Sequence, residues 1–210
     1  MRLEEIIQAV EELLAVRDSV REDVIRISRD VVRLSKQVIK LILEGEVEKA
    51  SSAAGEMEVK VREIEERVSG FPDLYYSGLI YNALSEYVEA SLLLDIALKR
   101  DLRDFRELRV PPVPYLQGLG DLVGELRRLA LEKVRAGSFE EAWRLYRIME
   151  SIYVNLSKLE YPEALIPGVR HKVDVARRLL DETLALLVDL ESRRALIESI
   201  EALRLRQLEF

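Results

Sequence analysis

The chain of 210 residues contains no cysteine, one histidine (His171), six prolines and nine glycines. Without cysteine there is no disulfide framework, no thiolate metal site and no cysteine nucleophile. With His171 alone, His-rich metal sites and most Ser–His or Cys–His catalysis are implausible. Little Gly and Pro beside 49% apolar and 34% charged residues excludes a low-complexity or disordered chain. No stretch approaches the roughly 18 uninterrupted apolar residues of a membrane span. Met1-Arg2-Leu3-Glu4-Glu5 runs straight into an acidic amphipathic pattern without a signal-peptide core, so a cytoplasmic protein is expected. The chemistry left open is that of carboxylates.

The net charge of −7 and pI near 5.1 argue against nucleic acid as a bulk partner, but not against a local basic face. Proline is absent before Pro72, and apolar residues there recur at helical spacing: Leu3, Ile6, Ile7, Val10, Leu13 and Leu14, then Val24, Ile27 and Val31. Gly45 is the predicted stop. A helix of about 40 residues is about 60 Å long, against a diameter of roughly 45 Å for a globule of this size. The first helix therefore either wraps the body or projects into a partner subunit.

A second helix is expected over 46–69 and a third over 73–99. The loop Arg103–Pro114 follows, closing on Val110-Pro111-Pro112-Val113-Pro114. A fourth helix is expected from 115 to Gly137. Ser138 and Glu141 have capping-box spacing and open a fifth, to about Leu159. The sixth begins after Pro167-Gly168 and reaches about Leu190, with 193–207 extending it or forming a seventh. No strand and no internal repeat is read. The expected fold is all-α, an antiparallel bundle of six to seven helices in one domain over 1–210. Val175, Leu186 and Val188 lie off the main apolar stripe of helix six, which implies cover by a partner subunit or a central position in the monomer.

Two acidic pairs stand out. Glu86 and Glu89 lie three apart, with apolar or small residues following as far as Leu94. Asp121 and Glu125 lie four apart, beside Gly120 and Gly124. Each spacing puts both acids on one helical face. Helical glycines cost about 1 kcal/mol relative to alanine, so the space they leave points to a close helix, metal or substrate. Buried carboxylates must be protonated, paired or metal-bound. Four with no His or Cys favour Mg²⁺ or Mn²⁺. Acids three or four apart also occur on any solvated helix, and spacing does not show that the two pairs meet.

Arg26, Arg29, Arg33, Lys36 and Lys40 form a basic stripe about 20 Å long on the first helix. It suits a phosphate backbone, or a solvated face paired with Glu56, Glu63 or Glu66. Arg170, His171 and Lys172 form a second basic cluster, with His171 a surface or phosphate contact. Trp143, Tyr146 and Tyr153 read as core. Tyr75, Tyr76 and Tyr81 read as core or as stacking platforms for bases.

Across most of its length the sequence resembles the translin family, closer to translin-associated factor X than to translin itself. The residues that carry this are Glu86-Tyr87-Val88-Glu89-Ala90 and Tyr115-Leu116-Gln117-Gly118-Leu119-Gly120-Asp121-Leu122-Val123-Gly124-Glu125-Leu126-Arg127, with the Ala136-Gly137 stop and helix six. The resemblance implies a metal-dependent endoribonuclease in which Glu86, Glu89, Asp121 and Glu125 match the nuclease-type acids. It also implies a closed, roughly octameric shell enclosing nucleic acid. The shorter chain fits an archaeal single-gene form that self-assembles. The stripe and the Arg170–Lys172 cluster would bind RNA. The competing readings are a non-catalytic shell binding RNA or single-stranded DNA, an all-α nucleotide pyrophosphohydrolase, and a scaffold.

Overall fold

The structure is a computed structural model that describes residues 2–208, with side chains described to Arg204. Among the described residues there are seven helices and no strand: α1 (Leu3–Leu43), α2 (Val47–Arg67), α3 (Pro72–Tyr75), α4 (Gly78–Ala97), α5 (Pro112–Arg135), α6 (Phe139–Ser157) and α7 (Val169–Leu208). The all-α expectation holds. Gly45 and Gly137 take left-handed φ of 81° and 76° just beyond α1 and α5, at the predicted stops.

The long first helix projects rather than wraps. Its buried positions begin at Val24 and run through Ile27, Val31, Leu34 and Val38 to Ile42, one stripe against α2 and α4. Toward the N-terminus the same periodicity continues into solvent, leaving Leu3, Ile6, Ile7, Val10, Leu13 and Leu14 exposed. Arg17 pairs with Asp73 of α3 at the base of this arm. α7 behaves alike at its other end. Val169, Ala176, Leu180, Thr183 and Leu187 are buried, whereas every residue from 191 to 204 is exposed.

Several boundaries differ from the sequence reading. The helix expected over 73–99 is broken: Tyr76 ends α3, and Ser77 is extended (φ −76°, ψ 148°) ahead of α4. Serine favours the cap position, and Gly78 is a poor helix former. The proline run belongs partly to α5, with Pro111 as N-cap and Pro112 in the first turn, where a missing N–H costs nothing. Residues 193–207 extend the last helix without a break. The capping box does not form, because Ser138 makes no cap bond and Glu141 binds Arg144 at 2.8 and 3.0 Å instead.

The helix buried all round is α4, not the last one. Every residue from Tyr87 to Ile96 is buried, while Leu184 and Val188 of α7 are 40% and 48% exposed. α7 therefore lies at the rim of the monomer, not at its centre. The loop after α4 is held by Asp95, 3% exposed, which accepts from Arg103 Nε at 3.0 Å.

Glycine sets the distance between α4 and α5. A Cβ at Gly118 would stand 2.7 Å from both the Ser85 carbonyl oxygen and Val88 Cβ. Gly55 on α2 faces open space. The two positions should respond oppositely to alanine. Gly55→Ala should stabilise by about 0.5–1 kcal/mol through helix propensity. Gly118→Ala should destabilise, since forcing two helix backbones apart costs about 1–3 kcal/mol. Denaturant melts of both variants check the contrast, and equal shifts would show that the α4–α5 approach is not constrained at Gly118.

Candidate functional site: an acidic cleft between four helices

The close α4–α5 approach brings the two acidic pairs together. Glu86 and Glu89 from α4 and Asp121 and Glu125 from α5 line one open cleft of about 1120 Å³, with Lys172 of α7 and Lys36 and Lys40 of α1. A second glycine admits α7: a Cβ at Gly120 would lie 2.7 Å from Lys172 Cβ. The space at Gly118 and Gly120 is thus taken by neighbouring helices. Gly124 has one neighbour within 4 Å, Leu179 Cδ1 at 4.0 Å.

Three of the four acids have partners. Ser35 Oγ of α1 donates to Glu86 at 3.1 Å. Lys172 Nζ stands 2.5 Å from each Asp121 carboxylate oxygen. Arg128 donates to both oxygens of Glu125 at 3.0 and 2.8 Å. Glu89, only 8% exposed, has no hydrogen-bond partner among the described residues. Burial pushes its pKa up to about 8, helped by the charges of Asp121, Glu86 and Glu125, while Lys172 acts in the opposite direction. At neutral pH this carboxyl therefore holds its proton.

The donor set fits a hard divalent cation, having carboxylate oxygens, no sulfur or imidazole, and one buried acid without a partner. As the side chains stand, no group of three or more His, Asp or Glu among the described residues is gathered closely enough to hold an ion. Asp121 and Glu125 are instead turned to Lys172 and Arg128, and Glu86 to Ser35.

The basic residues separate into groups. All five of the α1 stripe are exposed, and none pairs with Glu56, Glu63 or Glu66. Arg26 meets Asp23 and Arg33 meets Asp30, each at 3.3 Å within α1, and Lys40 lies 3.7 Å from Glu44. Arg29 and Lys36 have no ion pair among the described residues. Lys36 and Lys40 reach the cleft; Arg26, Arg29 and Arg33 continue the stripe along α1 away from it.

Arg170, His171 and Lys172 diverge, since successive helical residues point about 100° apart. Arg170 donates to the Tyr161 carbonyl at 3.3 Å, His171 is exposed, and Lys172 enters the acid cluster. Among the aromatic candidates, Tyr146 is buried and Trp143 donates to Glu191 at 3.2 Å, whereas Tyr76 is exposed. Sequence reasoning misses Ser35, Asn82 and Arg135, which all serve the cleft. Asn82 is within its reach, lying four residues before Glu86 on the same face.

Fold and site together define an all-α protein whose cleft brings four carboxylates of α4 and α5 together, with Glu44, Glu132 and basic residues of α1 and α5 at its edge. The chain belongs to the translin family, whose sequence pattern matches residues 19–183. That span is nearly the part of α1 and α7 that packs, leaving both projecting arms outside. An uncharacterised protein of Methanocaldococcus jannaschii is 29% identical over 177 residues, covering 81% of this chain and 76% of the relative. The crystal structure of AfC3PO is similar at 32% identity and a TM-score of 0.81, covering 93% of this chain and all of that one. A structure of AfC3PO with duplex RNA gives 33% identity and a TM-score of 0.74, covering 93% and 99%. Apo-NeC3PO, at 23% identity and a TM-score of 0.80 over 90% and 99%, shares the fold.

Proposed function

We propose that the protein is a divalent-metal-dependent endoribonuclease that cleaves short RNA inside a homo-oligomeric shell. The observation that carries this reading is the meeting of Glu86, Glu89, Asp121 and Glu125 in one cleft, with Glu89 buried and unpartnered. Structural polar groups are normally satisfied, so a buried acid facing three others suggests a cation that completes the set. These four side chains would hold Mg²⁺ or Mn²⁺, which supplies an activated water and stabilises charge at phosphorus.

The chain's own residues would do the rest. Lys36 and Lys40 stand on one rim and Arg128 and Arg135 on the other; Lys36 is unpaired among the described residues, while Lys40, Arg128 and Arg135 would exchange Glu44, Glu125 and Glu132 for phosphate. They would hold a phosphate backbone over the cleft without reading base sequence. The α1 stripe through Arg33, Arg29 and Arg26 extends that track. AfC3PO, solved with duplex RNA, supports RNA as the ligand class here. Self-association is supported by the exposed apolar faces of both arms, Leu3 to Leu14 on α1 and Leu196, Ile197, Ile200 and Leu203 on α7. Subunits that bury these arms against one another would leave the acidic clefts for an enclosed strand.

The test is incubation of the intact protein with a short labelled RNA, with Mg²⁺, with Mn²⁺ or with chelator, beside free nucleoside triphosphates. RNA fragments formed only with metal are the expected result. Binding without fragments would leave a non-catalytic shell, and triphosphate hydrolysis with RNA untouched would indicate a pyrophosphohydrolase.

A further inference from the structure

We propose that Lys172 is a built-in counter-ion that a divalent cation has to displace from Asp121, so that the chain itself sets how tightly the cleft takes metal. This inference rests on the metal-site reading above and concerns the regulation of that same site.

Asp121 is compensated differently from the other acids. Glu125 is met by Arg128 from its own helix, three residues on, and Glu86 by the neutral hydroxyl of Ser35. Asp121 alone among the four receives a full positive charge from another helix. The ammonium lies at equal distance, 2.5 Å, from both carboxylate oxygens, so a second cation on either oxygen meets its positive charge.

Lys172 is not a surface lysine that happens to fall nearby. Its stem lies over Gly120, one residue before Asp121, where a Cβ would collide with Lys172 Cβ at 2.7 Å. Its side chain is 25% exposed, so the ion pair is partly withdrawn from water and its attraction is less screened than that of a surface pair. Arg170 and His171 point elsewhere, which makes Lys172 the member of that basic cluster that acts in the cleft. Without metal, one tethered ammonium thus occupies the cation position beside Asp121. A divalent ion that binds Asp121 must expel it, and the site gains one net positive charge rather than two.

With Lys172 gone, a cation arriving at Asp121 meets the full carboxylate charge and no ammonium that it must first expel. Removing Lys172 should therefore tighten cation binding. The experiment is calorimetric titration of the intact, RNA-free protein with Mn²⁺. Lys172→Met should bind Mn²⁺ about tenfold more tightly or better, whereas Lys172→Arg should stay near wild type. On an Asp121→Asn background, Lys172→Met should gain much less, because only its weaker action on Glu89 is left to remove. If Lys172→Met loses its helical circular dichroism, Lys172→Gln takes its place. Unchanged or weaker Mn²⁺ binding in the charge-removing variant overturns the counter-ion role while leaving the metal site standing. Absence of Mn²⁺ binding in wild type and variant alike would sink the metal-site reading and this inference with it.

Discussion

Glu89→Gln is expected to abolish RNA cleavage while leaving RNA binding nearly intact and making the metal-free protein more stable at alkaline pH. Glutamine preserves the shape of the side chain but removes the charge that a cation in the cleft would need. Deleting one preorganised electrostatic partner of a reacting centre costs roughly 10²–10³-fold in rate, and a metal ligand shared with three other acids should cost at least that much. Binding survives because the basic residues of the rim and the α1 stripe are unchanged and none of them pairs with Glu89 among the described residues.

The stability effect follows from the same burial. Glu89 titrates near 8 in the folded protein against an ordinary value of 4.5. Its folded form therefore keeps a proton that the unfolded chain releases. Its contribution is fully present below pH 4.5 and is lost as pH rises through 8, amounting to about 3–5 kcal/mol across that window. Glutamine carries no such penalty. Denaturant midpoints in chelator at pH 5 and pH 9 should show wild type losing more stability between the two than Glu89→Gln. Parallel pH profiles, or cleavage at wild-type rate by the variant, would remove Glu89 from the proposed chemistry.

Replacing Arg33 and Lys36 together by alanine should do the reverse, weakening RNA binding while the acidic cluster stays whole. Both side chains are exposed, and alanine is the best helix former, so the fold should be undisturbed. Lys36 has no ion pair among the described residues, and Arg33 has only the weak intrahelical pairing with Asp30. Both charges are therefore available to phosphates. Taking away one cation that neutralises a phosphate reduces the slope of log K against log salt by about 1. Taking away two should flatten the slope by about 2 and weaken binding tenfold or more at roughly 0.1 M salt. Unchanged affinity and salt slope would make the stripe ordinary solvated surface.

The two experiments separate features that the sequence presents side by side. The acids and the stripe are both legible in it, because three- and four-residue spacing defines a helical face whatever surrounds the helix. Glu86 with Glu89, Asp121 with Glu125, and Arg26 through Lys40 all lie where their spacing places them. The partners of those faces are not legible. Sequence offers the α2 acids as partners for the stripe, but its pairs are local: Asp23, Asp30 and Glu44. By composition the last helix reads as covered by a partner subunit or central in the monomer, and within the monomer it is α4 that is central, because exposure depends on how many neighbours a helix has and not on its composition alone.

Glycine shows the same division. Gly120 and Gly124 stand out in the sequence for the space they leave, and Gly118 is part of the family motif, but the neighbours of all three belong to other helices. The Ser85 carbonyl and Val88 approach Gly118, Lys172 approaches Gly120, and Gly124 stays nearly open.

The sequence by itself determined an all-α chain without cysteine and with a single histidine, with acids aligned on two helices, a basic face on a third and a first helix too long for the body. Those properties follow from residue type and the 3.6-residue period, which are local. Tertiary structure decided that the two acidic faces meet, that Glu89 is the most buried of the four acids and the one without a partner among the described residues, that Lys172 neutralises Asp121 and that both arms stand clear of the core. Desolvation and Coulomb attraction depend on distances between residues about 35 to 50 positions apart in the chain, which helix packing sets and periodicity does not encode.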